Sequence, residues 1–414
     1  MTKLLEAFEG VVYPSVLSHI RHLGRLLEGK SVVHVNSTRL GGGVAEILHR
    51  LVPLMNELGI DTKWEVITGE DAFFTVTKTM HNAVQGSEKG LSKEMTEVFE
   101  ETNRENARRL APIVSEADFV FVHDPQPVPL CALCPERKGK WLWRCHIDAS
   151  RPNRRVWAYL RNWILSYDGS IFSLPEFAQP MPHPEYLVPP SIDPLSDKNC
   201  DLEPGEVART LREFGIDPDR PLAVQVSRFD RFKDPLGVIE AYRLCRRSQD
   251  LQLILAGGEA TDDPEGSAVL RDVLDAASGD PDIHVLVLPA DAHRTINALQ
   301  RGADVVLQKS TKEGFGLTVS EALWKEKPVI GGDTGGIRLQ IIDRFNGFRV
   351  RTAEGAALRL RYLLQHRARA ERMGENARAY VRENFLITRQ LRNVLAILVA
   401  QLQGDRERLE VFVP

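Results

Sequence analysis

The chain has little sulfur, no long apolar run and no excess of positive charge. Five cysteines in 414 residues are too few for a disulfide framework, and they point to reduced thiols in a cytoplasmic setting. Cys131-Ala-Leu-Cys134 forms a close pair. No second pair or histidine partner stands at zinc-ligand spacing, so it reads as incidental and no metal site is expected. No apolar stretch approaches the roughly 18 residues of a membrane span. Met1-Thr-Lys-Leu-Leu-Glu-Ala-Phe-Glu9 mixes charges into its apolar positions, so neither a secretory leader nor a membrane anchor is expected. With 53 Lys and Arg against 57 Asp and Glu, the net charge is −4, which argues against a general nucleic-acid binder. The G-x-G-x-x-G fingerprint is missing, which leaves a nicotinamide dehydrogenase unsupported.

What is present is alternation. A chain of 414 residues should hold about two domains of about 150–200 residues. Ser31–Asn36, Lys63–Ile67, Asp118–His123, Trp141–His146 and Ser170–Leu174 read as strands, and Gly41–Leu58, Ser92–Leu110 and Arg154–Ile164 as helices. Pro182–Pro204 is dense in Pro, Asp, Ser and Asn and reads as a linker. The alternation then resumes with strands at Leu222–Ser227, Gln252–Ala256, His284–Leu288, Val305–Gln308 and Pro328–Gly331. Helices are expected at Pro235–Arg246, Ala292–Arg301 and Gly316–Lys325. Strands separated by helices of this length imply right-handed βαβ units and a parallel sheet in each half. The fold class is therefore α/β, with a first domain over 1–195, a second over 196–385, and a final helix over 386–414 crossing back to the first. From Ala353 to about Gln403 the chain is helical and Arg-rich, but Glu interleaves with Arg. That pattern suits a solvated face over a packed stripe better than a nucleic-acid arm.

Gly24-Arg-Leu-Leu-Glu-Gly29-Lys30-Ser31 spells a P-loop, yet a strand follows it instead of a helix, so it is rejected. Gly41-Gly42-Gly43 has the right context, after the first strand and opening the first long helix, where glycines let backbone amides approach a ligand. Ser227-Arg228-Phe-Asp-Arg-Phe-Lys233 follows the first strand of the second half, at the carboxyl end where open α/β sheets bind ligands. In Glu313-Gly-Phe-Gly-Leu-Thr-Val-Ser-Glu321 the two carboxylates stand eight positions apart around a turn and a helix start. The amides of that start favour phosphate. The carboxylates accept from sugar hydroxyls, so the combination suggests a nucleotide-sugar. His123-Asp124-Pro-Gln126 and Trp143-Arg144-Cys-His146-Ile-Asp148 end two strands of the first half. The triplets Asp217-Pro-Asp219 and Asp280-Pro-Asp282 precede strands and so lie away from the ligand end, which disfavours a metal-dependent reaction.

The E-x7-E spacing with Gly-Phe-Gly inside it, together with the Arg…Lys pair, resembles the retaining family-4 glycosyltransferases, whose GT-B fold sets two Rossmann-like parallel-sheet domains across a cleft. Within them, His34-Val-Asn-Ser-Thr, Gly41-Gly-Gly-Val-Ala-Glu-Ile-Leu-His49, His123-Asp-Pro-Gln-Pro127, Trp141–Asp148, Pro189–Ser196 and Glu313–Glu321 are similar to the glucosyl-transferring trehalose synthases. The resemblance implies transfer of glucose from ADP- or UDP-glucose to free glucose, giving α,α-trehalose and a nucleoside diphosphate. A retaining trehalose phosphorylase, another acceptor and a non-catalytic nucleotide-sugar binder stay open beside it. It implies that Arg228 and Lys233 neutralise the departing diphosphate, that Glu313 holds glucose hydroxyls and Glu321 the ribose, and that His146 stands beside the reacting sugar. Gly41, Gly42 and Gly43 would face the diphosphate, as would Gly314, Phe315, Gly316 and Leu317 at the helix start. Asp124, Arg144 and Asp148 are acceptor candidates. No cofactor is required, with Mg2+ as a counter-ion at most. The partners are small molecules, not nucleic acid or membrane, and a homodimer stays open. In one departure from the family pattern, Asp234 stands where a glycine usually follows the Lys.

Overall fold

Parallel strands covered on both faces read as unbroken apolar runs, and the first such run becomes β1 (Ser31–Asn36) with five of its six residues buried. The computed structural model describes residues 4–39, 42–258 and 264–404. Along the chain, α1 (Pro14–Leu26) precedes β1, followed by α2 (Gly42–Glu57), β2 (Asp61–Val66), α3 (Asp71–Val84), α4 (Lys93–Val114) and β3 (Phe119–His123). Then come α5 (Leu130–Leu133), β4 (Lys140–Arg144), α6 (Arg154–Ile164), β5 (Gly169–Phe172) and β6 (Glu185–Leu187). The next stretch holds α7 (Glu206–Glu213), β7 (Leu222–Val226), α8 (Pro235–Arg246), β8 (Gln252–Gly257), α9 (Pro264–Ala277), β9 (Ile283–Val287) and α10 (His293–Gly302). It continues with β10 (Val305–Gln308), α11 (Leu317–Trp324), β11 (Val329–Gly332), α12 (Ile337–Gln340) and β12 (Gly347–Val350). The Arg-rich tail resolves into α13 (Ala353–Gln365), α14 (Arg367–Asn384) and α15 (Ile387–Gln403).

Two parallel six-stranded sheets result, ordered β2-β1-β3-β4-β5-β6 and β12-β11-β10-β7-β8-β9. Each order reverses once, between β1 and β3 in the first sheet and between β7 and β10 in the second. Those reversals are where doubly wound sheets open a crevice at the strands' carboxyl ends. The chain separates into a first unit, made of the residues up to Pro190 together with α15, and a second unit, Ser191–Leu386. The stretch read as a linker from its composition is partly structured: β6 lies inside it and pairs with β5. A three-residue edge strand tolerates the surrounding prolines and is too short to show periodicity.

The first core gathers Phe73, Phe99, Trp141, Trp143 and Phe172, and the second Tyr242, Leu253, Leu255, Val273 and Phe348. Helix α15 packs on α1 and α2 through buried Leu391, Leu395 and Leu398. Its buried Arg389 donates to the carbonyls of Pro189 and Pro190, and burial lowers that guanidinium to a pKa of about 9. The P-loop look-alike is structural: Lys30 Nζ meets Asp118 Oδ1 at 2.9 Å while Ser31 N and Oγ donate to Asp118 Oδ2. Asp282 is held by Arg220 and Arg246 at the start of β9, chiefly Arg220, which takes its carboxyl down to about 2. No described helix is long and apolar enough to cross a membrane.

Candidate active site

In the second unit the loops leaving β7 and β10, neighbours at the reversal point, bring distant residues together. Lys233 sits in a 3-10 turn, Arg231–Lys233, that begins where Asp230 accepts from Phe232 N. Its Nζ reaches Glu313 Oε2 at 2.5 Å, across 80 positions of sequence, with both side chains largely covered. Ser310 Oγ donates to the same oxygen at 3.3 Å. Arg228, two residues beyond β7, has 70% of its side chain exposed and lies 3.6 Å from Asp230. Asp234 adopts φ +51° and its carboxylate caps α8 by accepting from Gly237 N. That left-handed conformation favours glycine and tolerates Asp, which explains how Asp replaces the family's glycine. The same carboxylate pairs with Lys309, a buried cation that motif reading missed.

The Glu313 loop is seated on a second glycine turn. Gly336 N donates to Gly314 O at 2.9 Å. A Cβ on Gly335, where φ is +42°, would lie 1.7 Å from Glu313 O, and one on Gly336 would lie 2.5 Å from Phe315 Cα. Gln340 Nε2 donates to the carbonyls of Phe315, Gly316 and Gly336, fixing both turns from below. Gly316, at φ +82°, is the N-cap of α11. The Phe315 ring turns inward against Phe385, so only its backbone is available to a ligand. Gly314 and Leu317 are part-exposed beside it. Glu321 is buried inside α11 at 3% exposure. One turn on, buried Lys325 donates to Asn199 Oδ1, Gln300 Oε1 and Glu321 O. Burial brings the Lys325 pKa down to about 7 against the pull of the Glu321 carboxylate. Asp333, in the glycine turn, is occupied by Arg338 and Arg351.

In the first unit a chain of three histidines ends at the residue picked out by sequence. His34 Nδ1 lies 3.1 Å from His123 Nε2, and His123 Nδ1 lies 3.0 Å from His146 Nε2. His34 comes from β1, His123 from the end of β3 and His146 from just beyond β4, so the sheet order makes them adjacent. Burial holds His34 at about 3 and both other rings well below the usual histidine range. The row is therefore neutral at pH 7. With one proton per ring, each link has one donor, so the direction of the row sets which nitrogen of His146 carries its proton. The row lines a small, mostly apolar cavity of about 20 Å³ with Leu48, Phe121 and Val394. Sequence reading placed His123 at a strand end without a role and gave His34 none. The available signal was a lone polar residue inside the apolar run of β1.

Asp124 holds φ +62° and accepts from His146 N at 2.7 Å, so it orients the segment carrying His146. Burial raises its carboxyl to about 7, opposed by that amide and by Arg144. Arg144 is turned inward, 4% exposed, and donates to the carbonyls of Phe172 and Val188 at the ends of β5 and β6. That geometry makes it a brace for the strand ends. Asp148 is part-exposed and caps a turn by accepting from Ser150 N. Gly42 and Gly43 open α2 directly, while Gly41 lies outside the described residues.

Comparison with known proteins agrees with this architecture. Residues 34–179 match the family model described as trehalose synthase, N-terminal domain, and residues 207–380 match glycosyl transferases group 1. The chain is 47% identical to a trehalose synthase of Pyrococcus horikoshii over 95% of both chains, and 43% identical to one of Rubrobacter xylanophilus over 97% of this chain and 98% of that one. A trehalose phosphorylase of Pleurotus pulmonarius is 31% identical over 84% of this chain and 54% of its own length. Among solved structures, an alpha,alpha-trehalose-phosphate synthase from Burkholderia xenovorans superposes with a TM-score of 0.72 at 15% identity, covering 89% of this chain and all (100%) of that one. That likeness bears on the fold alone. Sequence and fold together show that this chain belongs to the trehalose synthase family of GT-B glycosyltransferases.

Proposed function

We propose that the protein transfers glucose from a nucleoside-diphosphate glucose, ADP- or UDP-glucose, to the anomeric hydroxyl of free glucose, with retention, yielding α,α-trehalose. The bond from glucose C1 to the diphosphate oxygen breaks, and the bond from C1 to the acceptor oxygen forms on the same face. The acceptor proton passes to the departing phosphate oxygen, and the nucleoside diphosphate leaves. No protein nucleophile is needed. The chain's task is to stabilise charge on the leaving diphosphate.

The observation that carries this reading is the Lys233–Glu313 contact. It supports a site that keeps a cation for phosphate and a carboxylate for sugar hydroxyls in one place, mutually neutralised until the donor takes each. Arg228, exposed and weakly paired, is free to fork onto the diphosphate. The amides of Gly314, Gly316 and Leu317 at the start of α11 would add donors, and Glu321 would take the ribose. In the first unit, Gly42 and Gly43 would face the diphosphate. His146, neutral and aligned by His123 and Asp124, would hydrogen-bond the reacting sugar. Asp124 and Asp148 remain acceptor contacts in this proposal, and Arg144 serves by holding the strand ends. The reaction requires no cofactor, with Mg2+ as a counter-ion at most, and the setting is cytoplasmic.

Incubation with UDP- or ADP-glucose, with and without glucose, tests it. Trehalose and nucleoside diphosphate formed only when glucose is present support the reading and name the base. Glucose 1-phosphate from trehalose and phosphate, without that transfer, replaces it with a phosphorylase. The lower identity to the phosphorylase relative makes this the weaker alternative.

A further inference from the structure

The Arg-rich tail, which sequence reading treated as a solvated face, builds a second basic cavity. Arg344, Arg359, Arg369 and Arg372 converge on a space of about 510 Å³, within the about 300–1,000 Å³ typical of small-ligand sites. Arg344 lies just before β12, Arg359 on α13, and Arg369 and Arg372 on α14. The cavity thus sits at the amino end of an edge strand, whereas Arg228, Lys233 and Glu313 follow the carboxyl ends of β7 and β10.

No carboxylate lines this cavity. On α14, Glu375 stands one turn beyond Arg372, at i,i+3, but among the described residues neither it nor Glu371 forms an ion pair with an arginine of the cavity. The acid that pairs with a cavity arginine is Asp343, 3.7 Å from Arg344 Nε and already accepting from Arg349 N. Arg369 donates to Tyr362 Oη. Arg359 lies 4.6 Å over the Phe348 ring. Arg359 and Arg372 have no hydrogen-bond or carboxylate partner among the described residues. Guanidinium groups gathered without counter-charge repel one another, and a phosphate relieves that repulsion while matching the fork geometry.

The remaining wall is aromatic. Phe345 is 46% exposed, and Phe348 and Tyr362 meet edge-on at 5.8 Å. An exposed ring beside guanidinium groups suits a planar base. We propose that this cavity binds a nucleoside phosphate at a site separate from the donor site. A single concave pocket on a chain of net charge −4 favours a small molecule over a nucleic acid.

Isothermal titration with AMP tests this on three full-length proteins: wild type, R359Q/R372Q, and R228A/K233A. AMP should bind wild type and R228A/K233A alike and should weaken at least tenfold with R359Q/R372Q. Inorganic phosphate should bind wild type more weakly than AMP. If R359Q/R372Q does not fold, R369Q/R372Q on the exposed face of α14 gives the same readout. The proposal is overturned if AMP does not bind wild type, or if binding survives loss of these arginines. It is also overturned if binding disappears in R228A/K233A, if inorganic phosphate binds as tightly as AMP, or if a short single-stranded oligonucleotide binds more tightly than AMP.

Discussion

Replacing His34 by Gln should make the first unit less sensitive to acid. His34 is 1% exposed, and burial takes its pKa from 6.5 to about 3. Between those values the unfolded chain binds a proton that the folded chain does not, so folded-state stability falls as pH drops below about 6.5. From pH 7.5 to 5.5 that loss is about 1.4 kcal/mol for one such ring. His123, 6% exposed and depressed by burial and by its two histidine neighbours, adds a loss of the same sign. Asp124 works the other way. With its carboxyl raised to about 7, its unfavourable charging in the folded state is relieved as pH falls, returning about 2 kcal/mol over the same interval. The wild-type curve alone is therefore a poor witness, and the difference between proteins is the readout. Urea unfolding followed by tryptophan fluorescence reports mainly on the first unit, which holds five of the six tryptophans. The loss of stability between pH 7.5 and 5.5 should be smaller in the variant by about 1.4 kcal/mol. An equal loss in both proteins, or a His34 ring titrating near 6.5 by NMR, would refute the reasoning.

Glu313→Ala and Lys233→Ala should each fold as the parent does and lose roughly 2–4 kcal/mol of transition-state stabilisation, about 30- to 1,000-fold in initial transfer rate; parent-like turnover would remove either residue from the site. Gly335→Ala would put a Cβ 1.7 Å from Glu313 O at φ +42°, so nucleoside-diphosphate affinity measured by calorimetry should fall together with the melting temperature. Lys325→Met leaves Asn199 and Gln300 with buried acceptors unmet and Glu321 without its neighbouring cation. Its unfolding free energy should drop by about 3 kcal/mol, and an unchanged value would mean that water replaces the ammonium.

Regular elements were legible where local pattern and packing agree. The apolar run 31–36 and the periodic segments 154–164 and 235–246 carry the boundaries found in the fold. Helix α3 was not read, because Phe73-Phe-Thr-Val-Thr77 has strand-like composition, and packing against α4 decides its state. On the site side, Arg228, Lys233 and Glu313 were readable as motif residues after strand ends, and the pairing of β7 with β10 lets Lys233 meet Glu313. Arg144 was readable as a strand-end residue but not as a brace, since the direction of its side chain depends on where β5 and β6 end. The histidine row was not readable as a unit. Its members are spread over the sequence from position 34 to position 146 and meet only because β1, β3 and β4 are neighbours.

The return of α15 gives synthesis an order. The first unit lacks its last helix until residue 403 has emerged, although its sheet is complete by Leu187. At about 5–20 residues per second on the ribosome, the interval is roughly 10–40 s, during which the surface destined for Leu391, Leu395 and Leu398 is bare. In that interval the second unit can fold alone, because all its strands and helices are contiguous in sequence. A stall or truncation before Ile387 would therefore leave a finished second unit tethered to a first unit with an open apolar seam, a natural handle for chaperones and proteases.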